Sequence, residues 1–178
     1  TYTKHAFLLK KVSRYSSGYQ TSIDEVKESD LTDGKLYYEL EIKPAERNLN
    51  DTFTVKDTLP EGAVYVEDSF NASPTTLNQM SVSEDGRTLT FTIPKEVYVN
   101  KDGSYKHDVL YIHYAIQISN ANLSGSQQEL INFTNTATSG EDEASVTVPV
   151  LFEEKEIEED DVIDKKGFQN NSDITYTI

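Results

Sequence analysis

The chain has 178 residues, a formal net charge of −15 and no cysteine. The acidic balance excludes nucleic acid and anionic membrane surfaces as partners, since both require clustered Lys and Arg. The missing cysteines exclude disulfides, thiol catalysis and Cys-based zinc sites, and no apolar run approaches the roughly 18 residues of a membrane span.

Tyr, Thr, Val and Ile are plentiful, and the apolar residues fall in short alternating runs, which points to an all-β protein. Residues 5–13 (HAFLLKKVS) read as a strand with Ala6, Leu8, Lys10 and Val12 on one face. The polar stretch 14–34 ends in an Asp33–Gly34 turn and leaves room for a short helix around Ile23–Lys27. Residues 35–43 (KLYYELEIK) and 51–59 (DTFTVKDTL) alternate and read as paired strands, the second stopped by Pro60–Glu61–Gly62. Strands follow over 63–68, around 80–85 and over 87–93, with Asp85–Gly86 as a hairpin turn. A polar connection over 94–108 precedes the longest and most apolar strand, 109–118, which is expected to be central. Strands over 130–138 and 144–152 complete a β-sandwich of about eight or nine antiparallel strands.

Residues 1–152 are therefore expected to form one sandwich domain and the acidic residues 153–162 a linker. Residues 163–178 read as the first strands of a truncated following repeat. There Lys165–Lys166 and an alternating run reproduce the order of Lys10–Lys11 followed by KLYYELEI. The N-terminus lacks a signal-peptide pattern, so an export signal and an anchor are expected outside these residues.

Three polar residues fall on apolar faces. Lys10 lies with Ala6, Leu8 and Val12, Asp57 with Phe53, Val55 and Leu59, and Asn135 with Ile131, Phe133 and Ala137. A lone buried Lys⁺ or Asp⁻ costs several kcal/mol. Together they make chemical sense: a desolvated lysine tends to lose its proton and become a nucleophile, and a desolvated carboxyl tends to keep one and can polarise an amide carbonyl. Attack of Lys10 on the Asn135 amide would then expel ammonia and leave a covalent amide. From the strands alone, Lys10 also fits an edge lysine snorkelling to water, Asp57 a turn-starting residue ahead of Pro60, and Asn135 an amide bonded to a neighbouring strand.

The order Lys–Lys–Val (10–12), LYYELEIKP (36–44), FTVKDTLPEGAVYVEDS (53–69), RTLTFTIP (87–94) and FTNTATSG (133–140) resembles the isopeptide-forming domains of Gram-positive pilins and collagen-adhesin-like surface proteins, over about residues 6–150. The resemblance implies an immunoglobulin-like sandwich with a cross-linking Lys from the first strand, an Asn from a late strand and an acidic catalyst between them. These fall on Lys10, Asn135 and Asp57, with Lys11 as the substitute for Lys10 and Lys165 as the cross-linking lysine of the next repeat.

It implies a non-enzymatic, extracellular, cell-wall-anchored stalk module whose one reaction is its own cross-linking. Its partners are adjacent repeats of the same polypeptide, and it needs no metal or other cofactor. The alternative is an adhesin module that binds a host matrix protein or glycan through the 14–34 or 94–108 loops, where Tyr15 and Tyr19 would be exposed. His5, His107 and His113 have no metal-site spacing and are assigned no role. Asp51, Glu67, Asp68 and Asp102 lack the ordered spacing of a calcium loop.

Overall fold

A computed structural model describes residues 6–45, 52–119 and 129–153. The chain divides into one unit of Thr1–Ser124 with Glu129–Phe152 and a second of Gly125–Gln128 with Glu153–Ile178. Of the second, only Glu153 is described. The linker beyond that residue, the restart at 163–178, Lys165, His5 and Asp51 lie outside the described residues.

Eleven strands are described: β1 (Ala6–Ser13), β2 (Val26–Lys27), β3 (Lys35–Pro44), β4 (Phe53–Thr58), β5 (Ala63–Tyr65), β6 (Asn71–Ser73), β7 (Gln79–Val82), β8 (Thr88–Ile93), β9 (Leu110–Ile118), β10 (Glu129–Ser139) and β11 (Asp142–Phe152). They form a two-sheet sandwich. One sheet runs β1-β3-β9-β5 with β6 also on β9, and the other runs β2-β11-β10-β4-β8-β7.

The alternation seen in the sequence becomes the core. Leu36, Tyr38, Leu40 and Ile42 of β3 face Leu89, Phe91 and Ile93 of β8 and Val146, Val148 and Val150 of β11 in one buried cluster. Each such side chain contributes about 1.5–3 kcal/mol when fully buried, and together they offset the cost of enclosing a few polar groups. The β7–β8 hairpin turns at Gly86, whose φ of +74° is the conformation glycine supplies at no steric cost.

Four expectations need correction. First, β3 and β4 do not pair: β3 lies between β1 and β9, whereas β4 lies between β10 and β8 in the opposite sheet. Each strand has one apolar face, and the two faces meet across the core instead of the strands meeting edge to edge.

Second, Val26–Lys27 is strand, not helix, and pairs in parallel with β11, so the sandwich is not wholly antiparallel. Val26 is buried, and its place beside Val150 outweighs a weak helical signal. Two single 3₁₀ turns follow, ending at Gly34 with φ +70°, where an added Cβ would lie 3.0 Å from the Ile118 carbonyl oxygen.

Third, the 94–108 connection contains a helical turn, α1 (Lys95–Tyr98). Val97, Tyr98 and Val99 are buried there, and Tyr98 meets Phe53 edge-on at 5.6 Å. Fourth, β6 falls where no strand was expected, because three residues are too few to show alternation.

Candidate functional site

The registers converge on one point between the sheets. In the first sheet, Val12 of β1 lies opposite Tyr38 of β3, which lies opposite Tyr114 of β9. Side chains two residues apart share a face, so Lys10 falls diagonally beside the Tyr38–Tyr114 pair. In the second sheet, Ala137 of β10 lies opposite Asp57 of β4, which places Asn135 diagonally beside Asp57 on the same inward face. Closing the sandwich brings the two diagonals together.

Lys10, Asp57 and Asn135 are 2%, 0% and 0% exposed, so none of them snorkels or caps a surface turn. Lys10 Nζ donates to Asp57 Oδ2 at 2.5 Å and to the Tyr114 hydroxyl at 2.8 Å. The Tyr114 hydroxyl donates to the same Asp57 oxygen at 2.5 Å and accepts from Asn135 Nδ2 at 2.9 Å. Lys10 Nζ also lies 5.3 Å and 5.2 Å from the ring centres of Tyr38 and Tyr114, within range of a cation–π contact.

Three buried polar atoms of this cluster have no hydrogen-bond partner: Asp57 Oδ1, Asn135 Oδ1 and the Tyr38 hydroxyl. The first two are acceptors when Asp57 is ionised. A proton delivered to the carboxyl would add a donor to this set of unpaired acceptors.

Burial lowers the pKa of the Lys10 amine below its ordinary 10.5, with Asp57 opposing the shift. It raises the hydroxyls of Tyr38 and Tyr114 well above 10, and the Asp57 carboxylate adds to both shifts, so both phenols hold their protons.

No protein-family model matches the chain, and no curated protein matches it. Solved structures do. The major pilin subunit of Bacillus cereus superposes with a TM-score of 0.50 at 18% identity, covering 84% of this chain and 41% of that one. The fold is pilin-like.

The collagen-binding domain of a Staphylococcus aureus adhesin aligns at 16% identity over 84% of this chain and 99% of that domain, with a TM-score of 0.43. A C-terminal fragment of the Streptococcus agalactiae major pilin aligns at 14% identity over 83% and 56%, with a TM-score of 0.48. The chain thus spans about half the length of the two pilin structures.

Within this pilin-like fold, β1 and β10 stand in different sheets, so a Lys10–Asn135 bond would tie the sheets together. Lys11 is placed away from the cluster: its side chain is 26% exposed and pairs with Glu41 at 3.0 Å on the outer face. His113 bonds Glu39 at 2.9 Å and packs against the Tyr19 ring at 5.1 Å. Among the described residues, no three His, Asp or Glu side chains gather into a metal site.

Sequence reasoning missed the two tyrosines. Both sit at inward positions of alternating strands, where a tyrosine passes for core filler. Their signal is chemical, because a buried tyrosine hydroxyl needs a polar partner.

Proposed function

We propose that this chain is a structural stalk or backbone module of a bacterial cell-surface adhesin or pilus, stabilised by an autocatalytic amide bond between Lys10 and Asn135. The observation that carries this reading is the buried hydrogen-bonded cluster joining Lys10, Asp57 and Asn135 across the two sheets.

A proton passes from Lys10 Nζ to Asp57 Oδ2 along their hydrogen bond and leaves a neutral amine. The neutral Asp57 carboxyl donates to Asn135 Oδ1 and draws electrons from the amide carbon. The Lys10 nitrogen forms a bond to Asn135 Cγ and gives up one proton, Nδ2 takes up one, the Cγ–Nδ2 bond breaks, and ammonia departs. Two buried charges disappear, replacing an ion pair of doubtful net stability with a neutral amide.

The chain turns over no external substrate in this account. It acts outside the cell on a wall-anchored polypeptide, and its partners are the neighbouring repeats. Force applied at the two ends would cross from β1 to β10 through the bond and bypass residues 11–134. In single-molecule pulling, the wild type is expected to lack a release on the order of 400 Å of extended chain, at roughly 3.3–3.6 Å per residue. Asn135→Ala should show that release; its presence in the wild type would defeat the mechanical role.

The Lys10 amine supplies a pH test. In unlinked Asn135→Ala, the folded state holds the Lys10 proton less tightly than the unfolded chain, so the unfolded state binds more protons and stability rises as pH climbs toward 10.5. In the linked chain that nitrogen is an amide and does not titrate. Tyr38 and Tyr114 act in the opposite sense above their ordinary 10.0, but in both proteins. Urea unfolding at about pH 7 and about pH 9 should therefore show the stability gap between variant and wild type narrowing. A gap that stays constant contradicts a titrating, unlinked Lys10.

One observation favours the second reading, a ligand-binding module. The 14–34 segment folds into a cleft of about 430 Å³ lined by Ser13, Arg14, Tyr15, Gln20, Asp24 and Glu25. Tyr15 is 60% exposed beside it. Loss of matrix-protein or glycan binding in Tyr15→Ala, with the cross-link intact, would establish that role.

A further inference from the structure

We infer that the Tyr114 hydroxyl is the proton relay of the cross-linking reaction, carrying a proton from the attacking nitrogen of Lys10 to the departing nitrogen of Asn135. This inference rests on the cross-linking reading above and adds a fourth reacting group to it.

The need for a relay follows from counting hydrogens. A neutral amine carries two on nitrogen and a primary amide carries two. The products are a secondary amide with one and ammonia with three. One proton must therefore leave Nζ and one must reach Nδ2. Water commonly does this in solution, but Lys10, Asp57, Asn135 and Tyr114 are all buried. Tyr114 Oη is hydrogen-bonded to both nitrogens, 2.8 Å from Nζ and 2.9 Å from Nδ2.

The directions of these bonds fit the sequence of events. Before attack, both nitrogens donate to Oη and the phenol donates to Asp57 Oδ2. A planar amide nitrogen has no free lone pair, so Nδ2 can only donate. Once Nζ has bonded to Cγ, the carbon is tetrahedral, Nδ2 is basic and Nζ is acidic. Asp57 by then carries the proton taken from Lys10, which weakens its hold on the phenol hydrogen. Nζ gives a proton to Oη as Oη gives its own to Nδ2, the Cγ–Nδ2 bond breaks, and the phenol ends unchanged.

Burial raises the Tyr114 hydroxyl well above its ordinary value, which favours this exchange over a free phenolate. The ring is held in place for the task. Tyr38, directly opposite on β3, stacks on it at 5.6 Å and 17°, and Phe91 tilts against it at 6.1 Å.

The test follows the loss of ammonia in the full chain during cell-free synthesis, with acid-quenched samples weighed by mass spectrometry. Wild type, Tyr114→Phe and Phe91→Leu are compared, and the melting temperature of each is recorded. Phe91→Leu disturbs the same ring without removing a hydroxyl.

Tyr114→Phe is expected to fold and to lose ammonia more slowly by on the order of 100-fold, the usual scale of a positioned acid–base group. Phe91→Leu should react within a few-fold of wild type even when its melting temperature falls as far. Overturning results are a wild-type rate in Tyr114→Phe, or a slowing no greater than that of Phe91→Leu. If Phe at position 114 prevents folding, fluorotyrosine there keeps the ring and hydroxyl while changing its acidity. A changed rate at unchanged melting temperature supports the relay, and an unchanged rate overturns it. A wild type that never loses ammonia removes the cross-link itself, a different failure from a bond that forms without Tyr114.

Discussion

Asn135→Ala is expected to retain its full calculated mass and to melt about 10–20 °C below the wild type. The bond would close a covalent loop running from β1 to β10, through most of the domain. In the chain-entropy account, a loop on the order of 100 residues contributes about 5 kcal/mol by restricting the unfolded chain. One kcal/mol corresponds to roughly 2–4 °C in a domain of this size. The substitution is clean because Lys10 keeps its bonds to Asp57 and Tyr114, so the deficit reports the lost cross-link and not a stranded charge. Calorimetry on both proteins checks it; equal melting temperatures would show that the bond contributes nothing.

Asp57→Ala is expected to do more harm. It removes the proposed acid of the cross-linking step and also leaves Lys10 without the carboxylate it pairs with in the cluster. Breaking a buried pair by deleting one member typically costs about 3–5 kcal/mol. Added to the lost cross-link, that approaches the whole 5–15 kcal/mol stability of an ordinary domain. The variant should appear largely as unfolded or aggregated protein at full mass.

Adding Lys10→Met separates the two losses. It removes the stranded amine, so solubility and a cooperative melt should return while the ammonia deficit does not. A double variant no more stable than Asp57→Ala would mean that the ion pair is not the source of the second loss.

The sandwich and the burial of Lys10, Asp57 and Asn135 were legible in the sequence because period-two alternation is strict wherever a strand has one buried face. Lys10, Asp57 and Asn135 each interrupt an apolar series, and a polar residue in such a series is visible without a structure. The strand registers were not legible. That Tyr114 lies opposite Tyr38, and that both face the lysine, depends on which strands pair. Here the sequence-adjacent β3 and β4 part into different sheets, against the usual tendency of consecutive strands to neighbour each other.

Tyrosine also hides its chemistry, since one side chain is both core filler and hydroxyl. Val26–Lys27 and Asn71–Ser73 are too short to show any period, and both are strands only through the neighbours they pair with. The choice between Lys10 and Lys11 came down to register as well. The pairing of Lys10 with Leu40 turns it inward and sends Lys11 out to Glu41.

The most direct measurement is the intact mass of the purified wild-type chain, followed by digestion and identification of the peptides. A mass lower than calculated by one ammonia is predicted, with the peptides of Lys10 and Asn135 recovered as one branched species. The deficit should persist in Lys11→Ala and vanish in Lys10→Ala. A wild-type chain at its full calculated mass would contradict the account: the buried cluster would then be an uncross-linked ion-pair network, and the fold would owe nothing to a covalent staple.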